Sequence, residues 1–215
     1  MNAKFSIKEV FRQLDKYSPF PLMYSFRMSE AEKALFNKQI RNSEVYYEFG
    51  MGGSTFHVLK NSNACVYSID SSKEWIQLMK EYFYIRRMEK SRLKLFHVNI
   101  GRTKKWGFPS DNSQANLFPE YSSELFRKAD KVADTILIDG RFRVACTLKA
   151  ILEYYNHKNT RYIIHDFWNR PEYHIVLKYL NEIDSSDTLC VLKIKDIVDL
   201  NAVENDYNIY KYKPE

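Results

Sequence analysis

The chain is poor in cysteine and glycine and has no long apolar run. Its three cysteines, Cys65, Cys146 and Cys190, lie far apart in apolar surroundings and form no Cys-x-x-Cys pair. That argues against a disulfide framework and a zinc site, and fits buried thiols in a reducing compartment. No apolar segment approaches the ~20 residues that a bilayer crossing requires. No basic stretch precedes an apolar run near Met1, so the expectation is a soluble, unexported, cytoplasmic protein. An acidic excess is also missing: 33 Lys and Arg against 27 Asp and Glu give a net charge of +6. The basic excess gathers at Arg86, Arg87, Lys90, Arg92 and Lys94, then at Arg102, Lys104 and Lys105. No aromatic-basic repeat or nucleic-acid motif accompanies it, so a solvated flank is expected and nucleic acid is not the expected partner.

What is present is ordinary globular material. With 215 residues, 45% hydrophobic and 28% charged, the chain is expected to be a single domain, residues 1–43 a helical extension and 44–215 the core. Phe5, Ile7, Val10, Phe11 and Leu14 mark a first amphipathic stretch that stops near Ser18-Pro19. A second helix starts at Ser29, where Glu32 completes a capping box, with Ala31, Ala34, Leu35 and Ile40 expected to face inward.

From residue 44 short apolar runs alternate with helical periods. Strands are predicted at Val45–Phe49, Ala64–Ile69, Leu93–Val98, Asp134–Ile138 and Arg161–Ile164. Helices are predicted over Ser54–Lys60, from Trp75 through Ile85, over Tyr121–Val132, Arg143–Tyr155 and Glu172–Ile183. A long connection rich in Gly, Pro, Asn and Ser runs from Gly101 to about Phe118, and a loop of that length is more often functional than accidental. Thr188–Ile194 and Tyr207–Tyr212 read as two strands that pair as an antiparallel hairpin. Strand-helix alternation implies a mostly parallel sheet covered on both faces.

The chemistry concentrates at strand ends. Gly50, Gly52 and Gly53 follow the first strand within four positions, giving a backbone that a ligand can approach closely. The turn feeds a helix amino terminus, which favours a negatively charged ligand group. Asp70 closes the second strand, where a carboxylate can accept both hydroxyl hydrogen bonds of a ribose. A dinucleotide fingerprint would need a third glycine at the position of Thr55. Glu48-Phe49-Gly50-Met51-Gly52 instead fits the E/D-x-G-x-G pattern of S-adenosylmethionine-dependent methyltransferases, with Ser54 where a third glycine is common.

The chain resembles a bacterial family of class I methyltransferase-like proteins. The similarity lies in Tyr47-Glu48-Phe49-Gly50-Met51-Gly52-Gly53-Ser54-Thr55, in Val66 to Asp70 through Trp75, and in Ile100-Gly101 through Trp106-Gly107-Phe108-Pro109. It continues in Ile138-Asp139-Gly140-Arg141-Phe142-Arg143-Val144-Ala145-Cys146 and in His165-Asp166-Phe167 through His174. It implies a Rossmann-like class I methyltransferase fold: a mostly parallel seven-stranded sheet, helices on both faces, and a C-terminal antiparallel strand pair. It also implies S-adenosylmethionine bound by Glu48, Gly50, Met51, Gly52, Gly53, Ser54, Thr55, Asp70, Ser71 and Asp139, with Asn99 and Ile100 near the adenine. Family members often carry an acid where Asn99 stands.

Asp139, His165 and Asp166 are the catalytic candidates, at the ends of the fourth and fifth strands. Asp139 and Asp166 can ligate a hard divalent cation such as Mg²⁺, which resembles the metal-dependent O-methyltransferases of the catechol type. Those usually add an Asn after the second Asp, where Phe167 stands here. His165 can take a proton from a substrate hydroxyl or simply hydrogen-bond within the sheet's upper layer. Arg141, Arg143 and Arg170 are candidates for holding a carboxylate or phosphate, or for ordering their turns through ion pairs. Trp75 and Trp106 read as packing anchors, Trp106 also as part of a lid.

The leading expectation is methyl transfer from S-adenosylmethionine to an oxygen or nitrogen of a small molecule or glycan precursor. The alternative is a non-catalytic methyltransferase-like module that binds a nucleoside or a partner. RNA modification is a weaker third reading.

Overall fold

The computed structural model describes residue 11, residues 13–22 and residues 24–215. Phe5, Ile7 and Val10, expected in a first helix, lie outside the described residues.

Seven strands form one sheet in the order β3-β2-β1-β4-β5-β7-β6. They are β1 (Val45–Phe49), β2 (Cys65–Asp70), β3 (Leu93–His97), β4 (Thr135–Ile138), β5 (Arg161–Ile164), β6 (Leu180–Ser186) and β7 (Leu189–Ile194). The first five are parallel, and β7 runs antiparallel to both β5 and β6. The helices are α1 (Glu30–Ile40), α2 (Gly53–Asn61), α3 (Lys73–Lys80), α4 (Phe83–Glu89), α5 (Phe118–Lys128), α6 (Arg143–Tyr154) and α7 (Leu200–Tyr210). This is the expected class I methyltransferase fold.

Two apolar layers follow from strand alternation, which sends successive side chains to opposite faces. Tyr47, Phe49, Tyr67, Ile69, Ile136, Ile138, Tyr162 and Ile164 face one side, where Tyr121 and Leu125 of α5, Leu148 and Ile151 of α6, and Val203 of α7 cover them. Tyr46, Val66, Leu137 and Ile163 face the other, under Phe36 of α1, Phe56 and Leu59 of α2, Met79 of α3 and Ile85 of α4. Ser29 caps α1 and the capping box with Glu32 is present. Leu35 and Ile40 point inward as expected, but Ala31 and Ala34 are exposed; Glu32, Phe36 and Gln39 take the buried face instead.

Register decides what meets at the sheet's upper edge. Phe49 pairs with Ile69 and Ile138, and Ile138 with Ile164. The residues that follow, Gly50, Asp70, Asp139 and His165, are therefore brought to one edge. The strand order reverses between β1 and β4, which is where ligands of such sheets bind.

Three assignments from sequence are corrected. The stretch Glu172–Ile183 is not one helix: a 3-10 run over Pro171–Lys178 leads into β6. That strand is polar and irregular at Glu182/Asp184 because it is an edge strand, so its sequence hides the usual apolar alternation. Tyr207–Tyr212 is not a strand but mostly part of α7, which Asp199 caps through the Asn201 and Ala202 N–H groups. The antiparallel pair exists, formed by β6 and β7. The Trp75–Ile85 stripe is broken into α3 and α4.

Candidate functional site

Glu48 is fully buried, and alternation turns it away from Tyr47 and Phe49 toward the helical layer that contains α2. Ser54, Thr55 and Ser68 all donate hydroxyl hydrogen bonds to its carboxylate, the last two at 2.5 and 2.7 Å. Thr55 Oγ1 also accepts the Gly52 N–H at 2.9 Å. Glu48, Ser54 and Thr55 thus brace the glycine turn from behind.

Burial pushes the Glu48 carboxyl up to about 7, against the three hydroxyls that favour its charge. The folded state then binds a proton that the unfolded chain releases above about 4.5. Glu48 costs nothing in acid, and its cost grows from there to a plateau above pH 7, about 3 kcal/mol by linkage. Urea melts should show stability falling between pH 5 and 8, and Glu48→Gln should flatten that slope.

The glycines divide the work. Gly50 has a positive φ of 91°, and a Cβ there would meet Gly140 Cα at 2.5 Å, so β1 and β4 touch backbone to backbone. Gly53 lies under the strap before α1, where an added Cβ would collide with Ser25 and Phe26. An added Cβ on Gly52 would meet nothing within 4 Å. That open space is the crevice.

Asp70 adjoins the same turn. Its carboxylate accepts the Ser72 N–H at 2.8 Å and those of Met51 and Ser71, which ties β2's tip to the glycine turn. Burial raises its pKa to about 6, opposed by those N–H groups and by Arg141. The Trp75 indole N–H donates to the Met51 carbonyl at 2.8 Å. Beyond β3, Asn99 is exposed and caps the Gly101 N–H at 3.0 Å. Ile100 is buried at the wall of a cleft of about 290 Å³ shared with Gly101, Arg102, Asp111, Ser113 and Gln114.

The Gly101–Phe118 connection folds back over this edge. An added Cβ on Gly107 would lie 3.0 Å from Ser71 Oγ and 3.8 Å from Arg141 Cγ. Arg27 stacks on Trp106 at 4.6 Å, and Arg141 on Phe108 at 4.1 Å. Trp75 and Trp106 are 42% and 56% exposed, so neither is the expected packing anchor; Trp106 belongs to the cover.

At the tips of β4 and β5 the candidates meet, but they are already engaged. His165 Nδ1 lies 3.0 Å from Asp139 Oδ1, and its Nε2 lies 3.6 Å from Glu32 of α1. Burial alone would lower the His165 pKa; the hydrogen bond and charge of Asp139, with Asp166, override it and raise it. Asp139 is held below its usual range, because Arg143, His165 and Arg141 outweigh its burial. Arg143, buried behind them, reaches Asp139 at 3.1 Å and Asp166 at 3.2 Å and donates to the carbonyls of His165, Gly140 and Asp139. It is an internal clamp. Arg170 lies 3.6 Å from Asp166 and 3.3 Å from the Tyr173 hydroxyl.

Asp139, His165 and Asp166 can bring one ligand atom each within 4.8 Å of the others. They do not suit a hard divalent cation, since the Arg143 guanidinium already bridges the two carboxylates and Phe167, the next residue along, offers no side-chain oxygen. Three members of the basic run are committed within the chain too. Arg92 donates to the carbonyls of Ala64 and Leu59, Arg86 to those of Lys80 and Glu81, and Lys94 pairs with Asp130.

Two residues of the site were not singled out for it from sequence. Glu32 signalled only a helix cap, yet it also bonds Thr188 and faces His165. Glu215 carried no signal at all, and its carboxylate accepts the Val144 N–H at 3.0 Å at the amino end of α6.

No protein-family model and no curated sequence matches the chain. Among solved structures, a methyltransferase-like protein from Silicibacter pomeroyi superposes with a TM-score of 0.75 at 21% identity, over 89% of this chain and 98% of that one. A Streptococcus mutans protein solved with S-adenosylhomocysteine gives 0.49 at 10% identity, over 78% and 100% of the two chains. The 1,6-didemethyltoxoflavin-N1-methyltransferase of Burkholderia thailandensis gives 0.45 at 14% identity, over 77% of each chain. The first similarity supports the fold: a class I methyltransferase fold. No helix among the described residues is long and apolar enough to cross a membrane.

Proposed function

We propose that the protein binds S-adenosylmethionine and transfers its methyl group to an oxygen or nitrogen of a small molecule or glycan precursor. The observation that carries this reading is the open space at Gly52 together with the Asp70 carboxylate, bonded to the Met51 N–H of the same turn, at the point where the strand order reverses. Gly52 and Met51 offer backbone to the cofactor's methionine part, Asp70 accepts from the ribose hydroxyls, and Ile100 walls the adenine side. The sulfonium supplies an electrophilic methyl carbon. The chain's part would be to hold an acceptor lone pair in line with that carbon, with the acceptor's proton leaving to solvent and the sulfur keeping the electrons of the broken bond.

The chain's contribution is positioning and water exclusion. The Trp106 loop and the strap carrying Arg27 meet next to the glycine turn, where they would limit water's access. His165 has Nδ1 hydrogen-bonded to Asp139 and Nε2 turned toward Glu32, so neither ring nitrogen is free to act as the base, and the favoured acceptor is an atom already nucleophilic at neutral pH. The same commitment of His165, Asp139 and Asp166 favours the second reading, a module that binds the cofactor without catalysis.

Calorimetry with S-adenosylhomocysteine tests the shared claim, and absence of binding by folded protein rejects it. The affinity should fall as pH drops through about 6, where Asp70 gains a proton and loses acceptor capacity. Asp70→Asn should weaken binding about tenfold or more and remove the pH dependence, each tenfold being ~1.4 kcal/mol.

A further inference from the structure

Beside the crevice, the turn Gly140-Arg141-Phe142 leads into α6, a helix of 12 residues whose first N–H groups have no partner within the helix. Phe142 holds a left-handed φ of 54° and packs on Phe118 and Tyr121, which fixes the turn. Two guanidinium groups, Arg141 and Arg143, flank this end. Arg143 is saturated by Asp139, Asp166 and three carbonyls. Arg141 is not. It is only 7% exposed, its Nη1 donates to the Glu215 main-chain oxygen at 3.1 Å, and its buried Nε has no partner.

The group seated there is a carboxylate from the chain itself. Glu215 Oε1 accepts the Val144 N–H, while its other carboxylate oxygen is buried without a partner. Among the described residues, Arg141 Nε and Glu215 Oε2 are two of the three orphaned buried side-chain polar atoms, the third being Tyr46 Oη. A donor and an acceptor left unpaired at one place indicate a carboxylate that enters the cradle without filling the arginine fork, and each orphan costs stability. A free carboxylate can lie side-on to the fork and still take the helix N–H. Burial also pushes the Glu215 carboxyl up to about 7, despite Arg141 and Arg143, which makes it a weakly held occupant.

We infer that Arg141 and the Val144 N–H form an anion cradle for a carboxylate of the methyl acceptor, and that Glu215 occupies it until an acidic acceptor displaces it. The inference rests on the methyltransferase reading and adds the acceptor's chemical class. The Arg141 stem lies next to Gly107 of the covering loop and its charge reaches Asp70, so an acid held here lies alongside the crevice.

The test uses sodium propionate, a mimic of the Glu side chain, with amide NMR of the full chain. In Glu215→Ala, propionate should produce a saturable shift of the Val144 amide, with affinity at least tenfold higher than in the unaltered protein. Adding Arg141→Gln should weaken it at least tenfold, and Arg141→Lys should restore little, because an ammonium offers no fork. A Val144 response that is absent, or equal in the unaltered protein and Glu215→Ala, overturns the inference. The titration is repeated with S-adenosylhomocysteine, whose own binding is followed by calorimetry. Joint binding supports an acceptor site; displacement of propionate assigns the cradle to the cofactor's own carboxylate and overturns it. If the cofactor product binds and propionate does not, this inference falls and the cofactor reading stands. If propionate binds and the cofactor product does not, the methyltransferase reading fails and the acceptor assignment fails with it.

Discussion

Replacing Arg143 by methionine should cost the fold about 3–5 kcal/mol, the largest effect expected of any single side chain at this site. The guanidinium is almost fully buried and answers two carboxylates, from β4's tip and from beyond β5, together with three main-chain carbonyls. Methionine keeps most of the stem's volume, so the loss reports the missing donors and the repulsion between Asp139 and Asp166. Urea melts should place the midpoint far below that of the parent at pH 7.5. The difference should shrink in acid, as Asp139, whose pKa Arg143 helps to depress, takes up a proton. Arg143→Lys should recover only a minor part, since one ammonium cannot reach both acids and the carbonyls between them. A variant as stable as the parent would contradict the clamp.

Gly52→Val should do the opposite: leave stability nearly unchanged and remove cofactor binding. The backbone at Gly52 is extended, with φ of 176°, and nothing lies within 4 Å of an added Cβ, so no clash is created in the free protein. The branched side chain would project into the crevice that the proposal gives to the cofactor. Affinity for S-adenosylhomocysteine should fall at least 100-fold, about 2.7 kcal/mol. Gly50→Ala serves as the contrast. Its Cβ would meet Gly140 at 2.5 Å at a positive φ, so it should damage folding first. Unchanged affinity in a folded Gly52→Val protein would move the cofactor site elsewhere.

Much of this was legible in the chain. The alternation of strands and helices from residue 44 to 164 rests on local apolar periods, and β1 and β5 fall where those periods place them. The edge hairpin was harder to read. Leu180–Ser186 is a strand because β7 lies beside it, and its polar composition says nothing of that partner. In and just after α7, aromatic residues at Tyr207, Tyr210 and Tyr212 imitated strand alternation, while the Asp199 cap and the Val203–Tyr207 spacing marked a helix.

By itself the sequence determined the glycine turn, the carboxylate closing β2 and the acids and histidine closing β4 and β5. Strand ends are set by nearby residues, and parallel packing gathers them at one edge. Only the tertiary structure decided what those groups have left to give. Glu48 is consumed by three hydroxyls, His165 is bracketed by Asp139 and a helix 133 positions away, and Arg141 meets a glutamate 74 positions on. Hydrogen-bond capacity is finite, and which partners exhaust it depends on contacts across the chain that no local pattern records.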